Sequence, residues 1–194
     1  MPEFLLKVGG TIHTLSTPWV MGILNITPDS FFSGSRFRSA QVAAFKAAEM
    51  AAQGAKIIDV GAYSSRPGAD AVSAQEEWAR LEEIIPAVKE AMSSFPEVLI
   101  SVDTFRGDVA QKAVSAGAHI VNDISGGNLD PQMYDAVAEL DVPYILMHMQ
   151  GDPATMQMNP TYEHVTRDIV RFFSERLPML HEKGIQDTIV DVGF

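Results

Sequence analysis

Four carboxylate or amide side chains follow short apolar runs at widely separated places in this sequence. They are Asp59, Asp103, Asn122 and Asp191. A carboxylate and an amide at such positions can together accept hydrogen bonds from a ring N–H and an exocyclic amine. The four residues therefore predict a site for a flat amino-oxo heterocycle, provided that the fold brings them together. Taken singly, each residue is also typical of a helix cap or a turn.

Two neighbouring residues are suited to a phosphate group. Ser65 and Arg66 stand in a long glycine- and serine-rich stretch of the kind that often contacts substrate. A guanidinium group can bind a phosphate with two parallel hydrogen bonds, although a surface ion pair is the alternative for a lone arginine in an acidic chain. Asn25, at the end of the first apolar run, is a neutral oxygen ligand suited to a magnesium ion that keeps most of its waters and shares a phosphate.

His148 follows another apolar run and stands between Met147 and Met149. It is either a catalytic residue or an imidazole at the edge of the core with one satisfied nitrogen. The second interpretation is favoured, because no second histidine or nucleophile stands at a recognisable spacing. Met147 is predicted to pack against the ring of a bound molecule.

The elements that must position these residues alternate along the chain. Six apolar runs without polar alternation predict parallel strands buried on both faces. Helical patterns separate them near residues 39–54, 73–88, 107–116, 131–140 and 161–183, with Ser39 as one predicted helix cap and Ser73 with Glu76 at capping-box spacing. Such alternation allows a doubly wound sheet or a barrel, and polar residues at the end of every strand favour the barrel.

The sequence therefore predicts an α/β fold of the TIM (β/α)8 type, in one domain over residues 1–194. Such a barrel usually takes about 250 residues, whereas this sequence has 194 and stops just after its sixth predicted strand. We expect only about the first six β/α units here, with an open sheet edge and uncovered apolar surface.

Composition excludes several other classes of function. The formal net charge of −11 argues against nucleic acid as a partner, which would need a basic face. The chain has no cysteine, so disulfides, zinc-thiolate sites and thiol nucleophiles are excluded. It has no signal-peptide pattern and no apolar run near the roughly 20 residues that span a bilayer. A cytoplasmic protein without a membrane partner is the expectation.

Five segments of the sequence together resemble the dihydropteroate synthases, the pterin-binding barrel enzymes of folate synthesis. They stand in the family's order and spacing: MGILNITPDSFF, IIDVGAYSSRPGA, ISVDTF, IVNDISGG and YILMHMQGDPATMQ. The resemblance implies condensation of 6-hydroxymethyl-7,8-dihydropterin diphosphate with p-aminobenzoate to give 7,8-dihydropteroate and pyrophosphate, with Mg2+ on the diphosphate. It also implies a homodimer for the full-length enzyme and sensitivity of the family to sulfonamides.

Carried over residue by residue, the resemblance assigns roles to most of the candidate residues. Asn25 matches the asparagine near magnesium and diphosphate, and Ser65 with Arg66 matches the pair that touches both substrates. The remaining matches hold the pterin: Asp103, Asn122, Met147 and Asp191. Asp59 is added to the substrate-binding set from its place at a strand end, and Arg66, Ser65 and Asp103 are the predicted catalytic residues.

The sequence also departs from the family pattern. A threonine is common where Ser65 stands, and a Gly-Glu pair is common where Ala62 and Tyr63 stand. The family's lysine on the seventh strand and its arginine and histidine on the eighth have no counterpart here, so we expect little or no synthase activity from this chain alone. Two other functions remain open: the pterin-binding domain of a corrinoid-dependent methyltransferase, and a non-catalytic pterin-binding fragment.

Overall fold

The computed structural model describes residues 3–26, 36–63, 72–153, 155–156 and 160–193. The strands in these ranges are β1 (Phe4–Val8), β2 (Thr11–Leu15), β3 (Val20–Asn25), β4 (Ala55–Gly61), β5 (Leu99–Asp103), β6 (Ile120–Asp123), β7 (Tyr144–Met147) and β8 (Thr188–Asp191). The helices in the same ranges are α1 (Arg36–Ala52), α2 (Ala74–Leu81), α3 (Ile84–Met92), α4 (Gly107–Ala116), α5 (Met133–Leu140) and α6 (Val165–Glu182).

Strands β3 to β8 form one parallel sheet whose spatial order is the order of the chain. Each strand is therefore beside its sequence neighbour, and helices connect the strands, as in a (β/α) barrel wall. The predicted α/β architecture with six parallel strands is confirmed. β3 and β8 lie at the two ends of the strand order.

Two separate apolar layers explain why the strands are buried on both faces. One layer packs between the strands and the helices, and includes Ile58, Ile100 and Leu146. The other lies on the opposite face, where alternate residues of neighbouring strands meet. Its members on the parallel sheet are Met21, Ile57, Leu99, Ile120, Ile145 and Ile189.

A β-hairpin, which the sequence interpretation missed, covers this second layer. β1 and β2 pair antiparallel, and Leu6 and Val8 bury their side chains against the alternate-residue layer. The two-residue turn is Gly9-Gly10, with φ of +54° and +81°, the left-handed conformation that tight hairpin turns require. The hairpin thus forms a floor on the interior face of the sheet, at the level of that apolar layer.

Two helix boundaries differ from the predictions. Helix α1 begins at Arg36, so Ser39 lies in its first turn and is not its cap. The helix predicted over residues 73–88 is two helices, because Pro86 has no N–H to donate to the carbonyl of Glu82, where the break falls. The capping box is confirmed: the Ser73 hydroxyl accepts from the Glu76 N–H, and the Glu76 carboxylate accepts from the Ser73 N–H.

Apolar side chains are uncovered at both ends of the sheet, as expected. Val20 and Ile23 on β3 are 62% and 52% exposed, and Val190 on β8 is 43% exposed. None of the helices in the described ranges has the length and apolarity needed to cross a membrane.

Candidate active site

The register of four neighbouring strands brings three predicted residues into one row. Asn25 on β3 lies opposite Gly61 on β4, Gly61 lies opposite Asp103 on β5, and Asp103 lies opposite Asn122 on β6. All four positions are at or next to the carboxyl ends of their strands, on the face that carries the second apolar layer. The row is the rim at which parallel barrels place their active sites.

Gly61 makes space for the Asp103 side chain. A Cβ atom at position 61 would lie 3.0 Å from Asp103 Oδ2 and 3.1 Å from Asp103 Cβ. These distances are shorter than ordinary van der Waals contact, so any side chain at position 61 would push the carboxylate out of its place. The glycine is therefore part of the site, although sequence reasoning assigned it no role.

Asp59 lies below this row and holds Asn122. Asn122 Nδ2 donates to Asp59 Oδ2 at 3.1 Å, and Asp59 is only 3% exposed. Burial raises the pKa of the Asp59 carboxyl, while the nearby Ser101 hydroxyl and the hydrogen bond from the Asn122 amide partly oppose the rise. With one N–H of Asn122 bound to Asp59, the amide carbonyl and the second N–H remain for a guest. Ser101 is a further residue that the sequence interpretation did not single out.

Asp103 is the most strongly perturbed carboxyl group of the site. Its pKa is raised well above the usual value, first by burial and then by the negative charges of Asp59, Glu77 and Asp123. The charges that shift it are all carboxylates. A ligand that offers N–H donors or positive charge would therefore relieve an unfavourable field.

Met147 and Asp191 lie opposite each other on β7 and β8. Met147 is half-buried and Asp191 is exposed, and Asp191 Oδ1 accepts a hydrogen bond from the Gly193 N–H at 3.2 Å. Each lies two residues after an apolar residue of the second layer, Ile145 or Ile189, so both stand on the same face as Asp103. Their strands are two and three places from β5 in the sheet. All four polar residues lie on one face of the sheet. Asp103, Asn122 and Asp191 lie at or next to the ends of their strands, as predicted, whereas Asp59 lies two residues before the end of β4, so its predicted place at a strand end is wrong.

His148 points away from this face. It is buried, its Nδ1 lies 3.0 Å from the Gly193 carbonyl oxygen, and its ring packs against Tyr162 and Phe172. The interpretation as an imidazole at the edge of the core with one satisfied nitrogen is confirmed.

A metal held entirely by protein ligands does not fit the described part of the chain, where no group of three or more His, Cys, Asp or Glu residues could hold an ion. Asn25 is exposed at the end of β3. A single amide oxygen fits a magnesium ion whose other ligands are phosphate oxygens and water. Ser65 and Arg66, the predicted phosphate-binding pair, lie outside the described residues.

A buried ion pair beside the site was missed at the sequence level. Arg106 Nη1 donates to the fully buried carboxylate of Glu77, and Arg106 Nη2 donates to the Val72 carbonyl at 2.7 Å. The partners are 29 residues apart, and no local sequence pattern joins them. The capping box of Ser73 and Glu76 predicted the start of helix α2 but gave no indication that the next residue, Glu77, pairs with Arg106.

The comparisons with known proteins agree with this geometry. The model of the pterin binding enzyme family matches residues 21–194. The mitochondrial folate synthesis bifunctional protein of Pisum sativum is 56% identical over 171 residues, which cover 86% of this chain and 32% of that protein. The dihydropteroate synthase of Escherichia coli (strain K12) is 45% identical over 187 residues, which cover 95% of this chain and 64% of that protein.

A solved structure is similar over the whole chain. It is the dihydropteroate synthase of Xanthomonas albilineans with 4-aminobenzoic acid, which has a TM-score of 0.85 and 37% sequence identity, and of which this chain covers 67%. The chain thus spans about a third of the length of the plant protein and just under two thirds of the bacterial enzyme. Since the family match reaches every strand of the parallel sheet and the rim of polar side chains at its carboxyl edge, the chain belongs to the family of pterin binding enzymes.

Proposed function

We propose that this chain provides the pterin site of a dihydropteroate synthase. The reaction condenses 6-hydroxymethyl-7,8-dihydropterin diphosphate with p-aminobenzoate and releases pyrophosphate. The observation that carries the proposal is the row of Asn25, Asp103 and Asn122 in register at the carboxyl edge of the sheet. The relatives named dihydropteroate synthase, one of them solved with 4-aminobenzoic acid, support the choice of reaction.

The pterin is recognised through its N–H groups. Asp103 accepts from the ring N–H and the exocyclic amine, and the carbonyl of Asn122, which Asp59 orients, accepts a further hydrogen bond. Asp191 lies at the far side of the same face, and Met147 beside it packs against the flat ring. Below the guest, the apolar layer closed by the β1–β2 hairpin excludes water.

The reaction needs position and charge stabilisation, and the proposal includes no covalent nucleophile. When the diphosphate leaves the pterin methylene, positive charge develops on the pterin, and the carboxylates of Asp103 and Asp59 stabilise it. The arylamine then attacks the methylene carbon from a bound position. By family resemblance, Ser65 and Arg66 contact the diphosphate and the p-aminobenzoate.

Mg2+ is part of the proposal as a ligand of the diphosphate. Asn25 would hold it at the outer end of the row, and when bound it neutralises part of the leaving group's negative charge. We further propose that the enzyme acts in the cytoplasm, as a homodimer at full length, and that sulfonamides compete with p-aminobenzoate.

Calorimetry with two ligands tests the site. We expect 6-hydroxymethyl-7,8-dihydropterin diphosphate to bind, and the analogue with a carbonyl in place of the exocyclic amine to bind at least about 100-fold more weakly, because the carboxylates lose their donor. Equal binding of the two ligands would refute recognition through the amine. Because little activity is expected from this chain alone, a coupled assay of pyrophosphate release with both substrates is run on a full-length enzyme that contains it, and release that does not depend on p-aminobenzoate would refute the synthase assignment.

A further inference from the structure

One guanidinium group joins both ends of the connection between β4 and α2 to the segment that follows Asp103. At the start of this connection, the Tyr63 ring lies 5.6 Å from Arg106 Cζ. At its end, Val72 accepts a hydrogen bond from Arg106 Nη2 at 2.7 Å. Arg106 itself is the third residue after Asp103.

Aromatic rings hold the guanidinium from one side. Phe105 lies 4.5 Å from Arg106 Cζ, and the Tyr63 and Phe105 rings meet edge to face with their centroids 5.0 Å apart. Contacts of a guanidinium with aromatic rings are favourable at these distances.

Glu77 fixes the guanidinium from the other side. The Glu77 side chain is fully buried, and its carboxylate accepts from Arg106 Nη1. Burial raises the pKa of Glu77, and the Thr104 hydroxyl and the Arg106 charge oppose the rise. A carboxylate in such a place remains ionised only while its cation stays there, so the two charges hold each other in one geometry.

The ion pair of Glu77 and Arg106 is also connected to the row of polar residues. The backbone N–H of Arg106 donates to the Thr104 hydroxyl at 3.2 Å, and the backbone N–H of Thr104 donates to the backbone carbonyl of Asn122 at 3.0 Å. Arg80 from α2 holds the start of the connection as well, since its guanidinium donates to the Ala62 carbonyl at 3.1 Å.

We propose that Glu77 and Arg106 are positioning residues, which set Tyr63 and Val72 at a fixed place relative to Asp103 and Asn122. The pair does not touch the pterin. It acts by fixing the two points from which the segment with Ser65 and Arg66 departs, and in this respect the inference rests on the proposed function.

The test replaces both charges by apolar side chains of similar length, E77M/R106M. Such replacements of buried ion pairs are often neutral or stabilising, so the double variant should fold. Hydrogen exchange read by mass spectrometry should become about 10-fold faster or more in peptides covering residues 60–73, because Arg106 no longer anchors Tyr63 and Val72 and local opening becomes easier. Peptides covering residues 120–140 should exchange as before.

The matched control is K56M/E97M, which removes an exposed ion pair with a 3.0 Å Nζ–Oε1 distance at the start of β4. We expect it to leave exchange over residues 60–73 unchanged. The conservative variant R106K keeps a positive charge for Glu77 but loses the planar fork. It should therefore unfold at the wild-type temperature and still exchange faster over residues 60–73.

Binding of the pterin diphosphate, measured by calorimetry, should weaken about 10-fold in E77M/R106M and stay unchanged in K56M/E97M, as expected when a binding surface is no longer preorganised. If the wild-type chain binds no pterin, the proposed function fails, while hydrogen exchange still tests whether Glu77 and Arg106 hold the connection between β4 and α2 in place. Wild-type exchange over residues 60–73 in E77M/R106M, equal acceleration in all peptides, or wild-type exchange in R106K would overturn the inference.

Discussion

Replacing Asp103 by asparagine should change stability and binding in opposite directions. A charged carboxylate at position 103 destabilises the folded protein, because burial and three other carboxylates raise the pKa of Asp103 well above its ordinary value of 3.8. An asparagine has nearly the same shape and no charge. The free energy of unfolding of D103N at neutral pH should therefore be higher than that of the wild type.

The pH dependence follows from the direction of this shift. The folded state keeps its proton to a higher pH than the unfolded state does, so the wild-type stability contribution of Asp103 is complete below pH 3.8 and is lost as pH rises toward the raised pKa. The variant D103N has no carboxyl group at this position, so it does not lose this stability as pH rises. The difference between D103N and wild type, from urea unfolding at several pH values, should be small near pH 4 and should grow as pH rises.

Pterin binding should fall in the same variant. A hydrogen bond to a charged acceptor contributes about 1.5–3 kcal/mol, and the new amide would present an N–H group to a guest that itself donates. At about 1.4 kcal/mol for each factor of ten, the affinity should fall at least 100-fold by calorimetry. Lower stability of D103N at neutral pH would refute the account of its charge, and unchanged pterin affinity would remove Asp103 from the site.

Three other variants test separate parts of the structure. G61A should weaken pterin binding about 10-fold by calorimetry, because its Cβ would lie 3.0 Å from Asp103 Oδ2; wild-type affinity would show that Asp103 has room to move. N25A should weaken binding of the pterin diphosphate with Mg2+ and leave binding of the pterin alcohol unchanged; equal losses for both ligands would contradict a role at the diphosphate. Y144F removes the 2.6 Å hydrogen bond from the Tyr144 hydroxyl to the buried Asp123, so thermal unfolding should reveal a loss of about 1–3 kcal/mol while pterin affinity is unchanged; unchanged stability would contradict the buried hydrogen bond.

The parallel sheet could be predicted because its strands carry a strong signal. Runs such as Ile57-Ile58 and Leu99-Ile100 are apolar on both faces, and each ends in a polar residue. The hairpin strands β1 and β2 are mostly exposed on one side and lack the long apolar runs of the sheet, and the sequence interpretation did not use the Gly9-Gly10 turn that indicates the hairpin.

The site could be predicted only as a set of residues on one edge. Their relation depends on strand register, which places Asp103 opposite Asn122 while Asp59 lies one step lower and binds the Asn122 amide. No pattern within a single strand contains that offset. The contact of Arg106 with Glu77 depends on how two helices and two connections pack, so it too lies beyond what local sequence patterns predict.

The central claim is that Asp103, Asn122 and Asp191 surround one pterin. A crystal structure of this chain with 6-hydroxymethyl-7,8-dihydropterin tests it most directly. We expect the ring at the carboxyl edge of the sheet, with its N–H groups within hydrogen-bond distance of Asp103 Oδ and its carbonyl or amine beside Asn122. A ring bound elsewhere, with these side chains unoccupied, would contradict the account.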